Sequence, residues 1–261
     1  MASYHTIICE RNQQVAHLWL NRPDKHNAVD EMMVHELRDC LDSLNNSKEM
    51  QLIVLRGKGT SFCAGADLKW ITRGKAISNE ENIKSAQSFS ELLYELYHIK
   101  KVTLCIGHGS VIGGGIGLLS ACDFSYSHSD TKFFFSEVKM GLVPAMIMPY
   151  VVNRIGKATA KSLMLTGTKI SGKEAKEFGL VNEILPAEEQ EKLITKKIDQ
   201  ILEGEPNALK LIKSLLNEES HDIGISSQNN ERLAGILANL RVSNVVQTRI
   251  KNFLTRKKDN D

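Results

Sequence analysis

Residues 107–144 read GHGSVIGGGIGLLSACDFSYSHSDTKFFFSEVKMGLVP, and the order within them of glycines, short apolar helix and late acid decides the fold. The apolar run Val102 to Ile106 just before them has the length of a buried strand. Gly113, Gly114 and Gly115 then lead into LLSACD, a short apolar helix. Glycines between a strand and a helix let the main chain approach a ligand closely, and the first N–H groups of the helix stay free to meet negative charge. Such a segment suits an oxyanion or a phosphate. Farther on, Phe133, Phe134 and Phe135 carry Glu137 into apolar surroundings, where an isolated carboxylate is costly unless it has a partner or a task. Glu137 is the candidate catalytic group.

Working outward from this segment, residues 5–20 alternate as two strands about Arg11, Asn12, Gln13 and Gln14, which predicts a hairpin at a sheet edge. NRPDKHNAVD follows as a loop with Asp30 as the N-cap of a helix that buries Met33, Leu37, Cys40, Leu41 and Leu44. QLIVLRG is a short buried strand, and Cys63-Ala64-Gly65-Ala66-Asp67 a tight glycine turn. Ile83, Phe89, Leu92, Leu93 and Leu96 mark a second amphipathic helix before the central strand. Repeated strand-then-helix order predicts an α/β architecture with parallel strands, since parallel neighbours require long crossovers. Beyond Pro144, AMIMPYVVNRIG predicts a helix broken at Pro149. Ser171 with Glu174 forms a capping box, Gly179 suits the end of that helix, and LVNEI reads as a strand. From Pro186 onward every pattern is helical. The expected organisation is a strand-rich core over residues 1–185 and a helical region over 186–261, with no linker between them.

Charge excludes some classes of function. The 33 basic and 31 acidic residues among 261 leave a formal charge of +2, spread along the chain with no footprint for DNA or a membrane surface. The cysteines at 9, 40, 63, 105 and 122 show neither CxxC nor Cys/His spacing, and the histidines show no metal spacing. The expectation is reduced core thiols, no metal and a cytoplasmic chain without a leader or a membrane span. Gly107, Gly109 and Gly113 do not complete a dinucleotide fingerprint: its third glycine would fall at Ile112, and Asp123 begins the next strand where an acid should end it.

Three motifs in order, FCAGADLKW at 62–70, GSVIGGGIGLLSACD at 109–123 and FSEVKMGLVPA at 135–145, resemble the crotonase (enoyl-CoA hydratase/isomerase) superfamily. NRPDKHNA at 21–28, LTGTKISGKEAKEFGLVNEI at 165–184 and IKNFLTRKK at 250–258 extend the resemblance over nearly the whole chain. It implies a spiral of ββα turns with a C-terminal helical region used in trimerisation, and a homotrimer or dimer of trimers. It also implies an acyl-CoA substrate, with coenzyme A entering only as part of the thioester and no separate cofactor. The resemblance assigns the oxyanion hole to the amides of Ala64 and Gly114, and catalysis to Glu137. It implies substrate-binding positions at Ala66, Asp67, Leu68 and Gly117, and at Lys25, His26, Ala28, Phe253 and Lys257 near coenzyme A, while Asp67, like Asp123, also reads as fixing a turn by local hydrogen bonds. Plainer readings stand beside these: glycines for close helix packing, Glu137 capping a helix or paired with Lys139, and surface lysines that are only solvated.

One departure narrows the chemistry. Hydratases with two catalytic glutamates carry the second where this chain has Gly117, so Glu137 must move both protons of a hydration, or the reaction involves no water. Gly117 is also expected to leave room for a branched or acid-bearing acyl chain. GLVPAMIMPYVV with Gly117 is similar to methylglutaconyl-CoA hydratases. The expected activity is hydration of an α,β-unsaturated acyl-CoA to a 3-hydroxyacyl-CoA. The alternatives are a Δ3,Δ2-enoyl-CoA isomerase, an acyl-CoA hydrolase, and a non-enzymatic RNA-binding member using lysines at 192, 196, 197, 257 and 258, which no aromatic-interleaved basic run accompanies.

Overall fold

In the computed structural model, which describes the backbone of residues 4–217 and 227–258 and leaves the side chains of 227–231 and 253–258 undescribed, the alternating residues near the N-terminus form an antiparallel hairpin. Its strands are β1 (Ile7–Asn12) and β2 (Val15–Leu20), paired from Ile7↔Leu20 to Asn12↔Val15. Helix α1 (Glu31–Asn46) starts where Asp30 accepts a hydrogen bond from the Met33 amide and buries the stripe expected for it. Strand β3 (Leu52–Gly57) follows. The charged stretch after the glycine turn, for which the sequence pattern gives no assignment, is α2 (Leu68–Arg73). Helix α3 (Asn79–His98) opens on a capping box between Ser78 and Glu81.

The central segment supplies β4 (Val102–Gly107), β5 (Ser110–Ile112), α4 (Gly114–Ala121), β6 (Phe124–Ser127) and β7 (Lys132–Phe134). After it come α5 (Met148–Thr166), β8 (Lys169–Ser171), α6 (Gly172–Glu177), β9 (Glu183–Ile184), and helices α7 (Gln190–Leu202), α8 (Pro206–Asn217), α9 (Ser227–Arg241) and α10 (Asn244–Lys258). The first sheet has the order β1-β2-β3-β4-β6-β9, parallel from β2 onward, and the second the order β5-β7-β8. The two central turns of chain each give one strand to each sheet, β4 then β5 and β6 then β7, while the segment after β3 adds only the isolated bridge Cys63↔Val111. This is the α/β spiral of ββα turns.

Strand β3 is buried on both faces, which is why LIVL is continuous rather than alternating. Ile53 and Leu55 join the core under α1, α3 and α4, while Leu52 and Val54 meet Ile194 and Ile201 of α7. Two compact units result, residues 1–213 and 214–261. The first extends beyond residue 185, the boundary drawn from strand content, because α7 covers a sheet face that would otherwise be wet; each buried isoleucine there contributes about 1.5–3 kcal/mol.

The expected break at Pro149 is a correction. Pro149 lies in the first turn of α5, where its missing N–H has no intrahelical partner to lose. The helix is interrupted instead at Gly156, whose φ of 73° and ψ of 159° are non-helical.

Candidate active site

Two stretches distant in sequence run side by side to build the site. The Phe62 amide donates to the His108 carbonyl, the Cys63 amide to that of Ser110, and the Ile112 amide to that of Cys63, at 2.9, 3.1 and 2.9 Å. Contact is close enough that a Cβ on Gly115 would lie 2.8 Å from the Cys63 Cβ. The small residues of CAGAD and the glycine run are thus steric requirements of this pairing before they are anything else.

At the start of α4 the Ile116 and Gly117 amides both donate to the Gly113 carbonyl. The Gly114 amide, one turn too early for an intrahelical bond, has no hydrogen-bond partner among the described residues. Gly113 itself has φ 47°, and a Cβ there would sit 2.7 Å from Glu137 Oε1. Glycine at 113 therefore serves both the turn and the approach of the acid.

The amide expected from the other stretch is corrected. Ala64 N–H is spent on the His26 carbonyl, at 2.9 Å. That bond ties CAGAD to the loop 22–28, which Asn27, fully buried, pins by accepting from the Arg22 amide and donating to the Lys58 and Ser61 carbonyls. The Ala66 amide has no hydrogen-bond partner among the described residues. Val29 N–H donates to the Gly65 carbonyl and Asp67 N–H to the Val29 carbonyl, so along this extended stretch Ala66 N–H points to the opposite side. Ala66 and Gly114 both line a cavity of about 520 Å³, and Glu137 lines it too.

Glu137 opens the short 3₁₀ turn Glu137–Met140, after Phe133 and Phe135, which are buried. Its Oε2 is buried without a hydrogen-bond partner among the described residues. Burial pushes the carboxyl above its ordinary value, opposed only by its own backbone amide. Neither a helix-capping role nor a pairing with Lys139 uses that oxygen. Glu137 is the sole ionisable side chain of the cavity wall among the described residues. The rest of the wall is mostly apolar, with Leu68, Phe89, Leu142, Val143 and Ile147, and its other polar side chains, Asn82, Ser85 and Ser136, are uncharged.

Gly117 is a second correction. It does not line the cavity, and it leaves no room: a Cβ there would lie 2.4 Å from Ile147 Cγ2. Ile147 fills the space that a larger residue at 117 would need. Asp67 also turns away from the cavity; its carboxylate pairs with Arg22 at 3.1 Å and caps α2 by accepting from the Lys69 amide at 2.9 Å. These contacts overcome burial and hold it below the ordinary carboxylate range. Leu68 does line the cavity, whereas Lys25, His26 and Ala28 lie on the adjoining loop, with Lys25 and His26 exposed. Phe253 and Lys257 fall in α10, where the side chains lie outside the described residues.

Sequence reading missed Ile147 as a wall residue and Asn27 as the pin of the loop. Phe89 was legible only as one member of a helical stripe, yet its ring would lie 3.1 Å from a Cβ on Gly114. Only folding reveals that this stripe reaches the glycine run.

A family model described as Enoyl-CoA hydratase/isomerase matches residues 10–258. The chain is 30% identical over 218 residues to the crotonyl-CoA hydratase of Syntrophomonas wolfei, covering 83% of each chain. It is 31% identical over 197 residues to the peroxisomal Delta(3,5)-Delta(2,4)-dienoyl-CoA isomerase of Arabidopsis thaliana, covering 70% of this chain and 71% of that one. The crystal structure of an enoyl-CoA hydratase from Shewanella pealeana superposes with a TM-score of 0.91 at 30% identity, over 97% of this chain and 94% of that one.

Proposed function

The chain belongs to the enoyl-CoA hydratase/isomerase family, and from that premise we propose that it adds water across the double bond of an α,β-unsaturated acyl-CoA. The thioester oxygen accepts hydrogen bonds from the Ala66 and Gly114 amides, which stabilise the enolate formed when oxygen adds to C3. Donors of this kind are typically worth about 3–4 kcal/mol each. Glu137 takes a proton from the attacking water and returns one to C2, giving the 3-hydroxyacyl-CoA. The observation that carries this reading is the buried Oε2 of Glu137, without a partner or a second ionisable group in the wall among the described residues. A base raised by desolvation holds its charge poorly and gives it up readily to a proton.

An acid-bearing acyl chain such as methylglutaconyl would need a cation that the described wall lacks, so an uncharged acyl group suits Leu68, Phe89, Leu142, Val143 and Ile147 better. A second reading rests on the Gly117 and Ile147 contact: with no place for another acid, Glu137 alone suffices to carry a proton from C2 to C4 in a Δ3,Δ2 isomerisation. Incubation with 2-enoyl-CoA and 3-enoyl-CoA thioesters separates the two. Hydration removes the ultraviolet absorbance of the conjugated thioester, isomerisation of the 3-enoyl compound creates it, and free thiol would mark hydrolysis. Including a dicarboxylic thioester tests the acyl preference, and loss of no substrate at all would sink both readings. We also propose assembly as a homotrimer or dimer of trimers, on the strength of family membership; sedimentation equilibrium checks it.

A further inference from the structure

Helix α1 lies along strand β1 in a register that several hydrogen bonds fix. Glu36 accepts from the His5 and Thr6 amides, Tyr4 donates to Asp39 at 2.7 Å, and Arg11 donates to Ser43 at 2.8 Å. Cys40, one turn beyond Glu36 and short of Ser43, therefore falls over Cys9, which packs against the buried cluster that contains Cys40. Cys40 is fully buried, while Cys9 on the edge strand is only partly covered. We propose that Cys9 and Cys40 form an oxidisable dithiol, which a peroxide-class oxidant converts into a disulfide tying β1 to α1.

The surroundings assign the roles. The neighbouring Cys40 thiol holds the Cys9 thiol below its ordinary value, with help from the Arg11 guanidinium and against burial. The same pairing and burial push Cys40 up, so it keeps its proton. The Cys9 thiolate attacks one peroxide oxygen, the O–O bond breaks, and Cys9 becomes a sulfenic acid while the other oxygen leaves as water after taking a proton. The Cys40 sulfur then attacks the sulfenic sulfur. A second water leaves with the Cys40 proton, and the disulfide has given two electrons to the peroxide. Cys105 and Cys122 are neighbours too, but both are buried, the Cys122 thiol donates to the Leu118 carbonyl, and the Cys105 thiol is pushed up first by burial and then by the adjacent Cys122. Cys63 is buried as well, which raises it to about 12. Proximity alone is shared; thiolate character with access belongs to Cys9.

The test uses the folded full chain, reduced, freed of reductant, treated with hydrogen peroxide and quenched by alkylation before digestion without reduction. The expected result is a peptide joining residues 9 and 40 that forms about tenfold or more faster than thiol is lost at 63, 105 or 122, and that dithiothreitol reverses. Cys40→Ser should leave Cys9 as a sulfenic acid trapped by dimedone, and Cys9→Ser should abolish both products. Should either variant not fold, timed iodoacetamide alkylation of the wild type still decides, with Cys9 about tenfold faster than the other four. Equal reactivity of all five thiols, or Cys9 running on to sulfinic acid with Cys40 still free, overturns the proposal.

Discussion

Glu36 and Glu137 are the same side chain in two kinds of burial. Glu36, on α1, accepts hydrogen bonds from the His5 amide, the Thr6 amide and the Thr6 hydroxyl at 2.7, 2.7 and 2.5 Å. Burial alone would raise its carboxyl, but these donors overcome it and hold the group below the ordinary value. Glu137 receives no such donors at Oε2, and burial raises it. The first region spends its charge on holding a strand to a helix. The second keeps a charge uncompensated beside a cavity, an arrangement that stability alone would not favour and that chemistry requires.

The sharpest way to break this contrast is Glu137→Gln. Turnover of the favoured enoyl-CoA should fall about 10²–10⁴-fold while the thermal midpoint holds or rises, because the amide carries no desolvated charge. Near-normal rates would end the catalytic assignment. Glu36→Ala should do the opposite, costing about 3 kcal/mol in a urea melt by orphaning the Thr6 and His5 donors, with kcat/KM of the folded fraction near wild type.

Proton linkage separates the two carboxylates again. The depressed folded value of Glu36 gives stability that is present above the unfolded carboxylate pKa and is lost as pH falls through the folded value. The raised value of Glu137 has the reverse sign: it penalises folding as pH rises from the unfolded value through the folded one, so Glu137→Gln should gain stability chiefly above that window. The acid limb of kcat/KM should lie above the ordinary glutamate range, since the base must be ionised. A limb at an unshifted glutamate value would contradict the desolvated site.

A smaller effect tests the packing that leaves Glu137 alone. Gly117→Ala places a Cβ against Ile147 and should cost about 1–3 kcal/mol by chemical denaturation. Pairing it with Ile147→Ala, which removes the Cγ2 that the new Cβ would meet, should recover part of that cost relative to the sum of the two single changes, a coupling that a double-mutant cycle measures. Full additivity would show that the two residues do not compete for one space.

Much of the fold was legible because local patterns and tertiary contacts agree. Asp30 as a cap, Ser171 with Glu174 as a capping box, and the buried stripe of α1 depend on neighbours within one or two turns. Pro149 was misread because the pattern showed a proline in a helix without showing that the helix begins there. The site divides in the same way. Glu137 and the glycine run stood out by residue type, and the family resemblance picked Gly114 within the run, whereas the choice of Ala66 over Ala64 turns on which amide the His26 carbonyl already occupies.

The sequence by itself determined that strands and helices alternate, that a glycine run opens a helix, and that one carboxylate follows an aromatic run, since each is a matter of residue type at short range. Only the tertiary structure decided which main-chain amides remain free, that Ile147 closes the space over Gly117, and that Cys40 lies over Cys9. Those facts depend on groups far apart in the chain competing for the same hydrogen bond or the same volume, and no local pattern records who wins.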